Sequence, residues 1–163
     1  MSVDQATGLL LRELERAGVE YVVVGLTAAV LLGAPVVTFD LDIVHRRTDD
    51  NVDRLFTWLR AHGAYHRLDL AQRRLPPTRE SLLGAGHLNL ETDLGKLDVL
   101  CELGKGEGYD EIVADAVFVE TSDSTVRVLD LPRLIAVKAA ANRPKDRAVL
   151  PVLLATLDER TKK

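Results

Sequence analysis

Asp40 and Asp42 interrupt an otherwise apolar run, Val36-Val37-Thr38-Phe39-Asp40-Leu41-Asp42-Ile43-Val44. The run is rich in β-branched residues and reads as a strand. Side chains alternate along a strand, so Phe39, Leu41 and Ile43 are expected on one face and Thr38, Asp40 and Asp42 on the other. The two acids are then about 6.6 Å apart along the chain. Like charges at that spacing are costly unless water or a cation answers them. A divalent cation held by paired aspartates is suited to chemistry on phosphates. The bland alternative is a strand whose polar face is simply solvated.

Asp98 repeats the pattern in Leu97-Asp98-Val99-Leu100, an acid flanked by apolar residues in a second expected strand. Three carboxylates on one sheet face could hold two divalent ions, with substrate phosphates completing the coordination. Asp98 could also deprotonate an attacking hydroxyl. Upstream, Val24-Gly25-Leu26-Thr27 reads as a strand-to-helix turn. Gly25 permits a tight turn and close approach of a ligand, the helix start offers free N–H groups to a phosphate, and Thr27 could add a hydroxyl. Near the C-terminus, Lys138 and the run Arg143-Pro144-Lys145-Asp146 could meet a triphosphate, arginine as a fork and lysine as a point charge. The competing reading has these cations balancing a helix dipole and Asp146 as N-cap of the last helix.

Other motifs carry less chemistry. Gly104-Lys105-Gly106-Glu107-Gly108 lacks the Gly-Lys-Ser/Thr ending of a P-loop and reads as a loop. His45, His62, His66 and His87 show no zinc-like spacing with Cys101, and His45 is expected at the surface. Phe56 and Trp58 read as core residues, and Arg73, Arg74 and Arg79 as solvated surface rather than an RNA contact.

The elements that must position these groups follow from periodicity. A helix is expected over Gln5–Ala17, ended by Gly18, then a buried strand Tyr21–Val24 and a short apolar helix Thr27–Leu32. After the Asp-bearing strand, Thr48-Asp49-Asp50 offers an N-cap to a helix that ends near His62-Gly63. Residues 67–84 show no clear period and include the proline-containing loop at 73–78. His87–Thr92 and Lys96–Leu100 form an expected hairpin, as do Ala116–Val119 and Thr125–Leu129. Two helices, about 131–141 and 146–158, close the chain. This order implies an α+β fold, a mixed sheet flanked by helices. The 163 residues read as one domain, with a core over about 20–130 and a helical tail over about 131–160.

The 47% hydrophobic and 28% charged residues are ordinary for a soluble globular protein, and a net charge of -4 gives no general pull toward nucleic acid or anionic membrane. A single cysteine allows no intrachain disulfide. The N-terminus lacks a signal-peptide pattern and no apolar run is long enough to span a bilayer, so the cytoplasm is the expected location.

Taken in order, Gly25 in its turn, Asp40-Leu41-Asp42, Asp98 and the tail Lys138 with Arg143-Pro144-Lys145-Asp146 resemble the nucleotidyltransferase superfamily of the DNA polymerase β type. Within it, the chain looks like the minimal bacterial enzymes related to the AbiEii and MenT toxins of toxin–antitoxin systems. The resemblance covers about Tyr21 to Leu157. It implies transfer of a nucleoside monophosphate from an NTP to an acceptor hydroxyl on RNA or tRNA, protein or a small molecule. Asp40, Asp42 and Asp98 would be the catalytic, metal-holding acids for Mg²⁺ or Mn²⁺. Gly25, Leu26, Thr27, Lys138, Arg143, Lys145 and Asp146 would form the nucleotide site. A cognate antitoxin or a second copy of the chain would be a partner, and no membrane. There are two departures. Leu26 stands where the family usually has Gly or Ser against phosphate, and Val36 or Val37 where related bacterial sequences often carry Arg. They motivate the alternative of a catalytically impaired nucleotide-binding or partner-binding module of the same fold.

Overall fold

The computed structural model describes residues 3–104 and 106–162. Met1 and Ser2 of the N-terminus and Lys105 of the glycine-rich loop lie outside them. Seven strands form one mixed sheet in the order β3-β4-β5-β2-β1-β7-β6. They are β1 (Tyr21–Val24), β2 (Leu41–His45), β3 (Tyr65–His66), β4 (His87–Thr92), β5 (Gly95–Leu100), β6 (Ala116–Glu120) and β7 (Thr125–Leu129). The helices are α1 (Gln5–Arg16), α2 (Gly25–Leu31), α3 (Asp49–Ala61), α4 (Arg79–Leu83), α5 (Tyr109–Ile112), α6 (Leu131–Ala141) and α7 (Pro144–Thr161). The expected α+β architecture is therefore present.

The central strands explain the apolar runs. All of β1 is buried, and Leu41, Ile43, Leu97 and Val99 are sealed in the core. β2 lies antiparallel to β1 and parallel to β5. β1 in turn lies parallel to β7, with Val23 opposite Val128. Local signals set the helix starts: Asp4 accepts from the Thr7 N–H, Thr48 from Asn51 and Asp130 from Arg133, each a side-chain N-cap.

Several expectations shift. The Asp-bearing strand begins at Leu41, not Val36. Its β1 neighbour ends opposite Asp42, where the chain turns into α2, so residues 36–40 lose that partner strand. Val37 and Phe39 are consequently 76% and 72% exposed, and Phe39 does not join Leu41 and Ile43 in the core. His45 is fully buried rather than at the surface, its Nε2–H donating to the Leu82 carbonyl at 2.7 Å. α7 starts at Pro144 rather than Asp146. Asp146 sits in its first turn and reaches back to accept from the Arg143 N–H at 3.1 Å. β3, α4 and α5 are short elements with too few residues to show a period.

Candidate active site

Asp42 and Asp98 are direct neighbours across the parallel β2–β5 pair. Asn89 on β4 is opposite Asp98, and Val24 on β1 is opposite Asp42. One row across four strands thus reads Asn89, Asp98, Asp42, Val24. Adjacent strands are about 4.8 Å apart, so Asp42 and Asp98 are closer than two acids on one strand would be. Asp40 precedes the strand, and its carbonyl accepts the Thr27 hydroxyl at 2.7 Å.

Burial, then the charge of Asp98, then that of Asp40, hold the Asp42 carboxyl well above the ordinary carboxylate range, and Lys138 works against them. Gly25, at φ +67°, packs so closely on Asp42 that a Cβ would collide with its Oδ2. Both the backbone angle and the space therefore demand glycine at this position.

Beside this row opens a cleft of about 700 Å³. Gly25, Asp42 and Asp98 line its sheet side, and Lys138, Arg143 and Lys145 its helical side. Six of the residues singled out in the sequence thus converge. The other four candidates, Asp40, Leu26, Thr27 and Asp146, do not line it, so the three acids expected to converge bring only Asp42 and Asp98 to the cleft. Leu26 is half-buried beside the turn, and Thr27 is buried with its hydroxyl committed to Asp40. Asp146 is fully buried, accepting from Arg143 Nε at 2.6 Å and facing Lys138 Nζ at 3.3 Å. The Arg143 hydrogen bond, above all, holds its carboxyl far below the ordinary range. It sets the angle of the two cations rather than touching the cleft itself.

One side chain in contact with the acids escaped the sequence reading. Arg67, just past β3, donates through Nη1 to Asp98 at 2.5 Å and to the Leu90 carbonyl at 2.9 Å, while Nη2 lies 3.5 Å from Asp40. It follows a two-residue strand at the head of an aperiodic stretch, so no local signal marked it.

Among the described residues, no group of three or more His, Cys, Asp or Glu side chains is arranged to hold a metal ion. The donor set that does converge is the hard-oxygen pair Asp42 and Asp98, with a guanidinium standing as the cation between Asp98 and Asp40. Two carboxylates with phosphate and water completing the shell suit Mg²⁺, which keeps much of its hydration in protein sites. The residues therefore fit one such ion at Asp42 and Asp98.

No family model matches the chain, and no curated protein matches it. Among solved structures, it is similar to a Thermotoga maritima protein described as "a putative nucleotidyltransferase", with 18% identity, 94% of this chain and 96% of that one covered, and a TM-score of 0.60. At that identity the likeness is one of fold, and it spans nearly the whole of both chains.

Proposed function

We propose that the cleft is a nucleotidyl-transfer site, moving a nucleoside monophosphate from an NTP to an acceptor hydroxyl and releasing pyrophosphate. The observation that carries this reading is the side-by-side placement of Asp42 and Asp98 against Gly25, facing Lys138, Arg143 and Lys145 across the cleft. Asp42 and Asp98 would hold Mg²⁺ or Mn²⁺, and Asp40 the outer edge of the same site. The bound ion supplies charge stabilisation on the transferring phosphoryl group.

The chain's own residues do the rest. Gly25 leaves the Asp42 carboxylate room to lie against the turn, because any side chain there would displace it. Asp98 accepts the proton of the acceptor hydroxyl as its oxygen bonds to the α-phosphorus and the bond to the β-phosphate oxygen breaks. Lys138 and Arg143, oriented by Asp146, with Lys145 beside them, neutralise the departing pyrophosphate. Leu26 lies outside the cleft lining, which leaves the turn's approach to phosphate to Gly25.

The likeness to AbiEii- and MenT-related enzymes makes tRNA, other RNA, protein and small molecules the acceptors to screen, and a cognate antitoxin the partner to seek. Incubating the protein with each α-labelled NTP, Mg²⁺ or Mn²⁺ and cell extract should label one acceptor class, and Asp42→Asn should abolish the label. Transfer retained in full by Asp42→Asn would refute the mechanism. A second reading, a nucleotide-binding module without turnover, is favoured by Arg67, which already neutralises part of the acidic site. Calorimetric binding of Mg-NTP with no labelled product would select it.

A further inference from the structure

The acidic row has a cation of its own. Arg67 is anchored through its N–H to the Asn89 carbonyl at 3.0 Å, which seats it at the end of the row Asn89, Asp98, Asp42. From there its guanidinium reaches both Asp98 Oδ1, at 2.5 Å, and Asp40 Oδ2, at 3.5 Å. Only 15% of the side chain is exposed, so this is an enclosed pairing rather than a loose surface contact. Lys138, the other cation near the acids, is already paired with Asp146. The same lone pairs cannot serve a guanidinium and a divalent ion together, and the two positive charges repel at close range.

Resting on the proposed metal-dependent reading, we propose that Arg67 is a tethered counter-cation. It occupies the outer half of the acidic site between turnovers and must leave Asp98 before Asp42 and Asp98 could hold a divalent ion. Its backbone stays fixed on β4 by the Asn89 hydrogen bond, so only the side chain exchanges. The device keeps the carboxylates neutralised without a metal and makes divalent binding a competition.

The test titrates Mn²⁺, with no nucleotide present, into wild type, Arg67→Gln, Arg67→Ala and Asp42→Asn, read by calorimetry and by the electron paramagnetic resonance of free Mn²⁺. Removing a competing charge-assisted pair should tighten Mn²⁺ binding by about tenfold in both Arg67 variants. Equal or weaker binding in those variants, with a wild-type site that Asp42→Asn abolishes, overturns the counter-cation and leaves the metal site standing. No binding to any of the four overturns both. A wild-type measurement covers the case of a variant that misfolds. Nitrogen-15 spectra of the Arg67 guanidinium should show slowly exchanging Nη protons without metal and fast exchange at saturating Mg²⁺. Protection that persists with the metal bound overturns the proposal.

Discussion

Gly25 and Asp42 occupy space that only one of them can fill: the carboxylate of Asp42 lies where a side chain on Gly25 would have to be. Gly25→Ala must therefore either displace Asp42 or strain a backbone held at φ +67°. The expected cost is about 1–3 kcal/mol in urea unfolding. Nucleotidyl transfer should fall at least as far as it does in Asp42→Asn. An unfolding midpoint within error of wild type would mean that the turn yields without strain.

Asp146 shows how a fully buried acid can serve a cleft it does not line. Asp146→Ala leaves Lys138 and Arg143 without their shared partner at the α6–α7 junction. Loss of such a buried partner should cost about 2 kcal/mol and raise KM for the NTP more than it lowers kcat. The sign with pH follows from the depressed carboxyl. Its stabilisation is complete above the ordinary carboxylate range and fades as the pH falls below it. Equal acid sensitivity in wild type and Asp146→Ala would remove the pair from the stability of the tail.

His45 gives the fold a second acid sensitivity, away from the cleft. It is sealed in the core with its Nδ1 unpartnered, and burial lowers its pKa to about 4. The unfolded chain takes up a proton near pH 6.5 and the folded chain does not, so stability is complete above about 6.5 and declines toward pH 4. The loss reaches about 3 kcal/mol over that window. His45→Gln, which keeps a donor for Leu82, should flatten this slope in chemical denaturation at pH 7.5, 6 and 5. An unchanged slope would assign the acid sensitivity to other groups.

Much of the frame was legible from periodicity. The β4–β5 hairpin, β1, the cap at Thr48 and α6 fall where alternation, apolar runs and capping residues put them. Six residues singled out in the sequence also border the cleft, each on or beside an element whose position periodicity predicts. The misses share a cause: each depends on a partner distant in sequence. Val36–Phe39 has the composition of a strand but lacks β1 beside it, since that strand has already turned into α2. Asp146 looked like a cap because its partners, Lys138 and Arg143, are fixed only when α6 and α7 pack together. The pairing of Asp42 with Asp98 rather than with Asp40 comes from strand register, and Arg67 from the far side of the sheet.

The parallel pairing of β1 with β7 sets a schedule for building the molecule. Val23 is made well before its neighbour Val128, which lies far along the chain from it. The acids on β2 and β5 can pair before β7 exists, whereas Lys138, Arg143 and Lys145 follow β7. A nascent chain therefore carries the acids and Arg67 before the cations of the opposite wall. Closure over such a long stretch is slow relative to local pairing. The acidic side of the cleft can be assembled first, and the basic wall that would face a bound triphosphate is added after it.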